Sequence, residues 1–161
     1  MPAILTDVDI QRLIMEEKPL PSDFEKRLQM KLKRGHKEAE LDLKGTNGSE
    51  FRLILRQSEF NSLDFSVILA YRMPYSNQLF RLRRYNGKSH EHTNKLEGTT
   101  LFDFHIHQAT ERYQDSGFRE DTFAEPTQRF GDVHGALQAL LQDCGFTKSS
   151  SGQTTLFDEG T

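Results

Sequence analysis

Apolar residues near the start of the chain recur at helical spacing. Ile10, Leu13 and Ile14 follow Thr6 and Asp9, which have the spacing of a capping box, and Pro19 stops the run. Phe24, Leu28 and Leu32 repeat the pattern after Ser22, with Glu25 three residues beyond that serine, and Gly35 offers a left-handed exit. This predicts a second helix whose Lys26, Arg27, Lys31, Lys33 and Arg34 form a solvated face. From Lys37 the period changes to two. Ala39, Leu41 and Leu43 alternate with charged residues, Asn47 and Gly48 supply a turn, and Phe51, Leu53 and Leu55 resume the alternation, which predicts an antiparallel hairpin. Leu63 to Tyr71 is almost continuously apolar from Phe65 to Ala70, as suits a central strand covered on both faces.

Farther on, Phe80 and Leu82 alternate with Arg81 and Arg83 before Asn86-Gly87, a dipeptide with the chemistry of a two-residue hairpin turn. That turn would place Tyr85 opposite Lys88, Arg83 opposite His90 and Arg81 opposite His92. Phe102, Phe104 and Ile106 form the next apolar set, which sends His105 and His107 to the other side. A last helix carries Phe130, Val133, Leu137, Leu140 and Leu141 on one side and ends at Gly145. The whole reads as an α+β domain over residues 1–146, with an antiparallel meandering sheet of about five to six strands, two N-terminal helices and one C-terminal helix. Residues 147–161, rich in Ser, Gly and Thr, read as a flexible tail.

Composition narrows the class. A chain of 161 residues supports one core, and no apolar run approaches a membrane span. The start MPAILTDVD lacks the pattern of a secretory signal. With Cys144 as the only cysteine, an internal disulfide is excluded and a cytoplasmic location is expected. Charge is unevenly spread. Arg72, Arg81, Arg83, Arg84, Lys88 and Lys95 face Glu91 alone in the middle, whereas the end is dominated by Asp115, Glu120, Asp121, Glu125, Asp132, Asp143, Asp158 and Glu159.

Four of the six histidines, His90, His92, His105 and His107, fall within this basic middle. Strand parity puts them on one polar face with Arg81 and Arg83, and Arg52 and Arg56 could extend it. Imidazoles supply both a base and an acid near neutrality, and arginines hold phosphate and stabilise developing charge. The leading expectation is therefore a face that binds RNA or another phosphate-bearing ligand, extending to cleavage by a metal-independent ribonuclease. His92, His105 and His107 are the acid/base candidates, and Arg81, Arg83, Tyr85, Lys88, His90 and Asn94 are the substrate-binding ones. This chemistry requires no cofactor. Zinc held by the His-x-His pairs is the competing reading, opposed by the neighbouring arginines, and a plain solvent face of a half-buried sheet is the third.

The segments LRRYNGKSHEHTN, HIHQATERY, FAEPT and LLQDCGF together resemble a family of small uncharacterised bacterial proteins, a domain of unknown function, over Thr6 to Phe146. A weaker similarity, to small toxins of toxin-antitoxin pairs, implies Arg83, Asn86, His92, Asn94, His105 and His107 as motif positions and a cognate antitoxin as partner. The chain departs from that pattern in having His90 as well as His92, and Arg84-Tyr85 where an Asp is expected. In the tail, Gln153, Leu156 and Phe157 resemble the Gln-x-x-Leu-Phe peptides that dock bacterial replication and repair proteins on the sliding clamp. That likeness implies a second class of function, a non-enzymatic interaction module in DNA metabolism or host defence tethered to a clamp.

Overall fold

Helix α1 (Asp7–Met15) opens on the capping box that its spacing predicts. The Thr6 hydroxyl accepts from the Asp9 N–H at 3.1 Å, and the Asp9 carboxylate accepts from the Thr6 N–H at 3.4 Å. The structure, a computed structural model, describes residues 4–148. After α1 the chain forms a short strand, β1 (Lys18–Leu20), which pairs in parallel with the last strand, β11 (Phe146–Lys148). Lys18 is fully buried there. Its ammonium donates to the carbonyls of Leu13, Ile14 and Glu16 at the end of α1 and to that of Cys144, all at 2.7–2.8 Å. Those carbonyls lie where a helix leaves its acceptors unsatisfied, so one cation serves the ends of two helices. Burial lowers its pKa to about 8.

The second predicted helix is much shorter than its pattern. Only Phe24–Arg27 is helical (α2); Phe24 and Leu28 are buried, while Leu32 is 61% exposed. Lys31–Leu32 instead forms a short strand (β2) against the edge of β3 (His36–Lys44). The edge supplies backbone partners that compete with the weak helical signal, and lysine suits an outer strand because it resists further pairing.

The main sheet continues through β4 (Glu50–Ser58), β5 (Phe65–Arg72) and β6 (Leu79–Asn86), then skips to β9 (His105–Gln108) and β10 (Ala124–Pro126). Its order is β10-β9-β6-β5-β4-β3-β2, antiparallel throughout. The α+β class holds, with seven strands in the main sheet and four helices among the described residues. The inner face carries Leu41, Leu53, Leu55, Val67, Leu69 and Leu82, in one core with helix α4 (Val133–Asp143), which packs on β5 and β6 and whose Ala136, Leu140 and Leu141 are buried. Helix α3 (Glu111–Asp115) lies between β9 and β10 in sequence. Strand β5 buries Ile68 and Ala70 on its outer face as well, as its continuous apolar run predicts. No helix among the described residues is long and apolar enough to cross a membrane.

Two features correct the expected layout of the histidine region. First, Asn86-Gly87 is not a hairpin turn. The neighbour of β6 is β9, and the segment between them leaves the sheet to form its own hairpin from β7 (His92–Asn94) and β8 (Thr99–Leu101). Gly87 is needed for a close approach: it donates to the Phe65 carbonyl at 2.9 Å, and a Cβ there would fall on the Leu63 carbonyl oxygen. Second, β6 carries a bulge. Arg81 pairs with Ala70 and Arg83 with Leu69, so Leu82 is an extra residue and the alternation of faces slips by one. Phe102, expected on the core side, lies outside any strand and is 50% exposed; Phe104 and Ile106 do pack on the core.

Substituting Gly87→Ala forces backbone against backbone and is expected to destabilise the fold by about 2 kcal/mol or more. The measurement is a urea unfolding curve with a lower midpoint at unchanged slope. A midpoint equal to wild type would show that the Leu63 turn yields freely.

Candidate histidine and arginine site

The antiparallel register arranges the outer face of the sheet as rows running across the strands. One row reads Glu38, Arg56, Ser66, Asn86 and His105; the next reads Glu40, Ile54, Ile68, Arg84 and His107. Side chains directly opposite one another across antiparallel strands are about 5 Å apart. Register therefore puts His107 beside Arg84 and His105 beside Asn86. The third imidazole arrives from above, because the β7–β8 hairpin folds over this face. The His92 ring stacks on that of His105 at 5.7 Å between centroids and meets that of His107 edge-on at 4.7 Å, while His105 and His107 lie 4.9 Å apart. All three acid/base candidates are thus brought together.

The hairpin is fastened at two points. The Asn94 side chain accepts from the Ala124 N–H at 2.9 Å and donates to the Ala124 carbonyl at 2.7 Å, in the manner of a neighbouring strand. Tyr113, fully buried, donates its hydroxyl to Glu97 and accepts from the Leu96 N–H at 3.1 Å. These contacts give Asn94 and Tyr113 positioning work. They also fix proton positions: because the Asn94 oxygen accepts from Ala124, it accepts from His92 Nε2 too, at 3.0 Å. His105 Nδ1 donates to the Asp103 carbonyl at 2.7 Å and His107 Nδ1 to the Asp121 carbonyl at 2.8 Å. Each keeps Nε2 without a hydrogen bond among the described residues.

His105 and His107 are each 3% exposed. Burial lowers both pKa values, with Arg84 adding to the effect, and carries that of His107 down to about 2. Both are therefore neutral imidazoles at neutral pH, and His107 resists taking up a proton.

Asp121, fully buried, organises the cationic side. Its Oδ2 lies 3.0 Å from Arg84 Nε and 3.2 Å from Arg81 Nε, and its backbone carbonyl holds His107. Neither arginine donates a side-chain hydrogen bond from its terminal nitrogens among the described residues. Burial presses on the Arg81 guanidinium, opposed by the Asp121 charge. The other Asp121 oxygen is buried without a partner.

Several expected members of the site stand elsewhere. The bulge turns Arg83 and Tyr85 to the inner face, where Arg83 donates to the Tyr85 hydroxyl at 3.3 Å and Tyr85 donates to Asp143. Asp143 is also bound by both terminal nitrogens of Arg129, at 2.7 and 2.9 Å. His90 is exposed against Ser89, and Lys88 is half-buried with its N–H on the Leu63 carbonyl. Gln153, Leu156 and Phe157 lie outside the described residues. Arg84 and Asp121 were not among the predicted site residues. Arg84 shows up only once the bulge is known, and Asp121 sits in a loop with no periodicity to mark it. Among the described residues no group of three or more His, Cys, Asp or Glu side chains is placed to hold a metal ion.

Below about pH 6.5, the ordinary value for histidine, the unfolded chain takes up protons on His105 and His107 that the folded chain resists. The unfolded state then binds more protons, so stability falls as the pH drops. His107 alone is expected to contribute about 1 kcal/mol per pH unit between about pH 6.5 and 5. Urea unfolding across that window checks it, and His107→Asn should flatten the slope; an unchanged slope would refute the burial assignment.

The profile of DUF6978, a family of unknown function, matches residues 5–147. Searches of curated proteins and of solved structures find no match. The match covers the whole sheet, the histidine hairpin and α4, and on that basis the chain belongs to the DUF6978 family.

Proposed function

We propose that the outer face binds the phosphates of RNA at Arg81 and Arg84, and that His105 and His92, backed by His107, cleave the bound strand without a metal, as in a toxin-like ribonuclease. The observation that carries this reading is the shared carboxylate. Asp121 holds two guanidiniums by their Nε atoms and leaves their terminal nitrogens unengaged beside the imidazole cluster. Two guanidiniums against one carboxylate leave a net positive charge, and guanidinium nitrogens match phosphate oxygens in geometry.

Roles follow from the environment of each ring. His105, neutral and with Nε2 available, takes the proton of the ribose 2′-hydroxyl; O2′ then attacks the adjacent phosphorus as the bond to the 5′ oxygen breaks. His92, the least buried of the three, returns a proton to that leaving oxygen. The products are a 2′,3′-cyclic phosphate and a 5′-hydroxyl, so the proton and the electron pairs balance. His107 backs the site as a positioning residue, and Arg84 stabilises charge on the phosphoryl oxygens.

Fluorescence anisotropy with a labelled RNA oligomer at low salt tests binding, and analysis of product ends in the presence of EDTA tests cleavage. Arg84→Gln is expected to weaken binding about tenfold or more. His92→Ala is expected to slow cleavage about a hundredfold or more while affinity is kept. Absence of RNA binding by the wild type would refute the reading, and binding without cleavage would refute its enzymatic form alone.

A further inference from the structure

Beside Arg81 the outer face of the sheet sinks into a groove of about 430 Å³. Its floor is apolar: Ile54 and Ile68 stand opposite each other across β4 and β5, with Ala70 next to them. Its rim is charged, with Arg81 and Arg119 on the cationic side. Ile68 is opposite Arg84 in register, so the floor begins one strand away from the proposed phosphate site, and Arg81 belongs to both. The opposite side of the groove carries Glu38 and Glu40, each with an arginine against it: Arg56 stands 3.9 Å from Glu38 and Arg52 3.7 Å from Glu40.

A polar outer face has no need of an apolar floor, and a free phosphate would make no use of one. A nucleotide has both parts: a charged phosphate and, one ribose away, a flat apolar base. Register places an aliphatic floor next to two phosphate-binding guanidiniums, which is the spacing of one strand. Bases within a duplex are stacked and paired and present only their edges to a protein, whereas an unpaired base can lie flat on a sheet. Resting on the reading of the phosphate site given above, we infer that the groove over Ile54 and Ile68 seats an unpaired base of single-stranded RNA whose phosphate is held by Arg81 and Arg84. Specificity would then be for strand state: single strands over duplex.

The experiment uses the full chain with three probes, namely a short single-stranded RNA, the same sequence as a duplex, and inorganic pyrophosphate as a competitor. Wild type is expected to bind the single strand about tenfold or more tightly than the duplex. Ile54→Gln, polar but uncharged, should remove most of that preference and leave competition by pyrophosphate unchanged. Ile54→Thr keeps a β-branched side chain on the strand and serves if the first variant fails to fold; it should lower single-strand affinity in the same direction. Equal affinity for single strand and duplex, with both Ile54 variants neutral, would overturn the groove and leave the phosphate site standing. No binding of RNA and no effect of pyrophosphate in the wild type would overturn both.

Discussion

A single extra residue in β6 decides what the outer face of this protein can do. Simple alternation would send Arg81, Arg83 and Tyr85 to one side. Leu82 and Arg83 instead both face inward, and Arg84 replaces Arg83 beside the histidines. A bulge is a local event, but the change of parity it imposes persists along the strand beyond it. The same slip places the Tyr85 hydroxyl where Asp143 on α4 can accept its hydrogen bond, so the bulge serves both faces. Without it, Arg84 would be driven into the core and Tyr85 out of it. The inner packing of β6 on α4 therefore fixes the composition of the outer site.

Given that parity, Asp121 determines how the site is charged. A fully buried carboxylate is costly unless it is paired, and one whose partners are two guanidiniums gains attraction from both. The pairing is asymmetric: Oδ2 takes both arginines while Oδ1 is left buried without a partner. Such an orphan oxygen costs desolvation energy that the structure does not recover within the described residues. The backbone of the same residue fixes the tautomer of His107. Side chain and main chain of one loop residue thus orient two cations and one imidazole, the kind of preorganisation that spares a binding site from ordering long side chains when a ligand arrives.

The legible parts of the fold were those governed by local rules. The Thr6 capping box, the β3–β4 hairpin, the two-sided burial of β5 and the end of α4 before Gly145 all follow from spacing and turn chemistry, and all are present. What the sequence hid depended on partners far away along the chain. Lys18-Pro19-Leu20 offers no strand pattern, yet it pairs with Phe146–Lys148 because its lysine closes the ends of two helices. Leu32 completes a helical period, but the edge of β3 claims it. Strand parity predicted that His92, His105 and His107 share a face, not that their rings meet, and the structure brings them together by another route. Two of them come from a strand and the third from a hairpin folded over it, so they cluster although the expected cross-strand pairing of Arg83 with His90 does not form.

The charge polarity of the chain, basic in the middle and acidic toward the end, is largely consumed inside the molecule. Asp121 neutralises part of Arg81 and Arg84, Glu120 accepts from the Arg81 backbone N–H at 2.9 Å, and Asp143 sits between Arg129 and Arg83. The basic stretch is therefore not a free polycationic surface, and the positive charge left for a ligand is that of about two arginines less one carboxylate. On the proposed reading, a site so charged would engage one or two phosphates, which implies a shallow salt dependence compared with proteins that track a nucleic-acid backbone over many contacts. Selectivity would then come from what lies beside the proposed phosphate site. In the row of Arg84, register provides His107 on one side and the aliphatic pair Ile68 and Ile54 on the other.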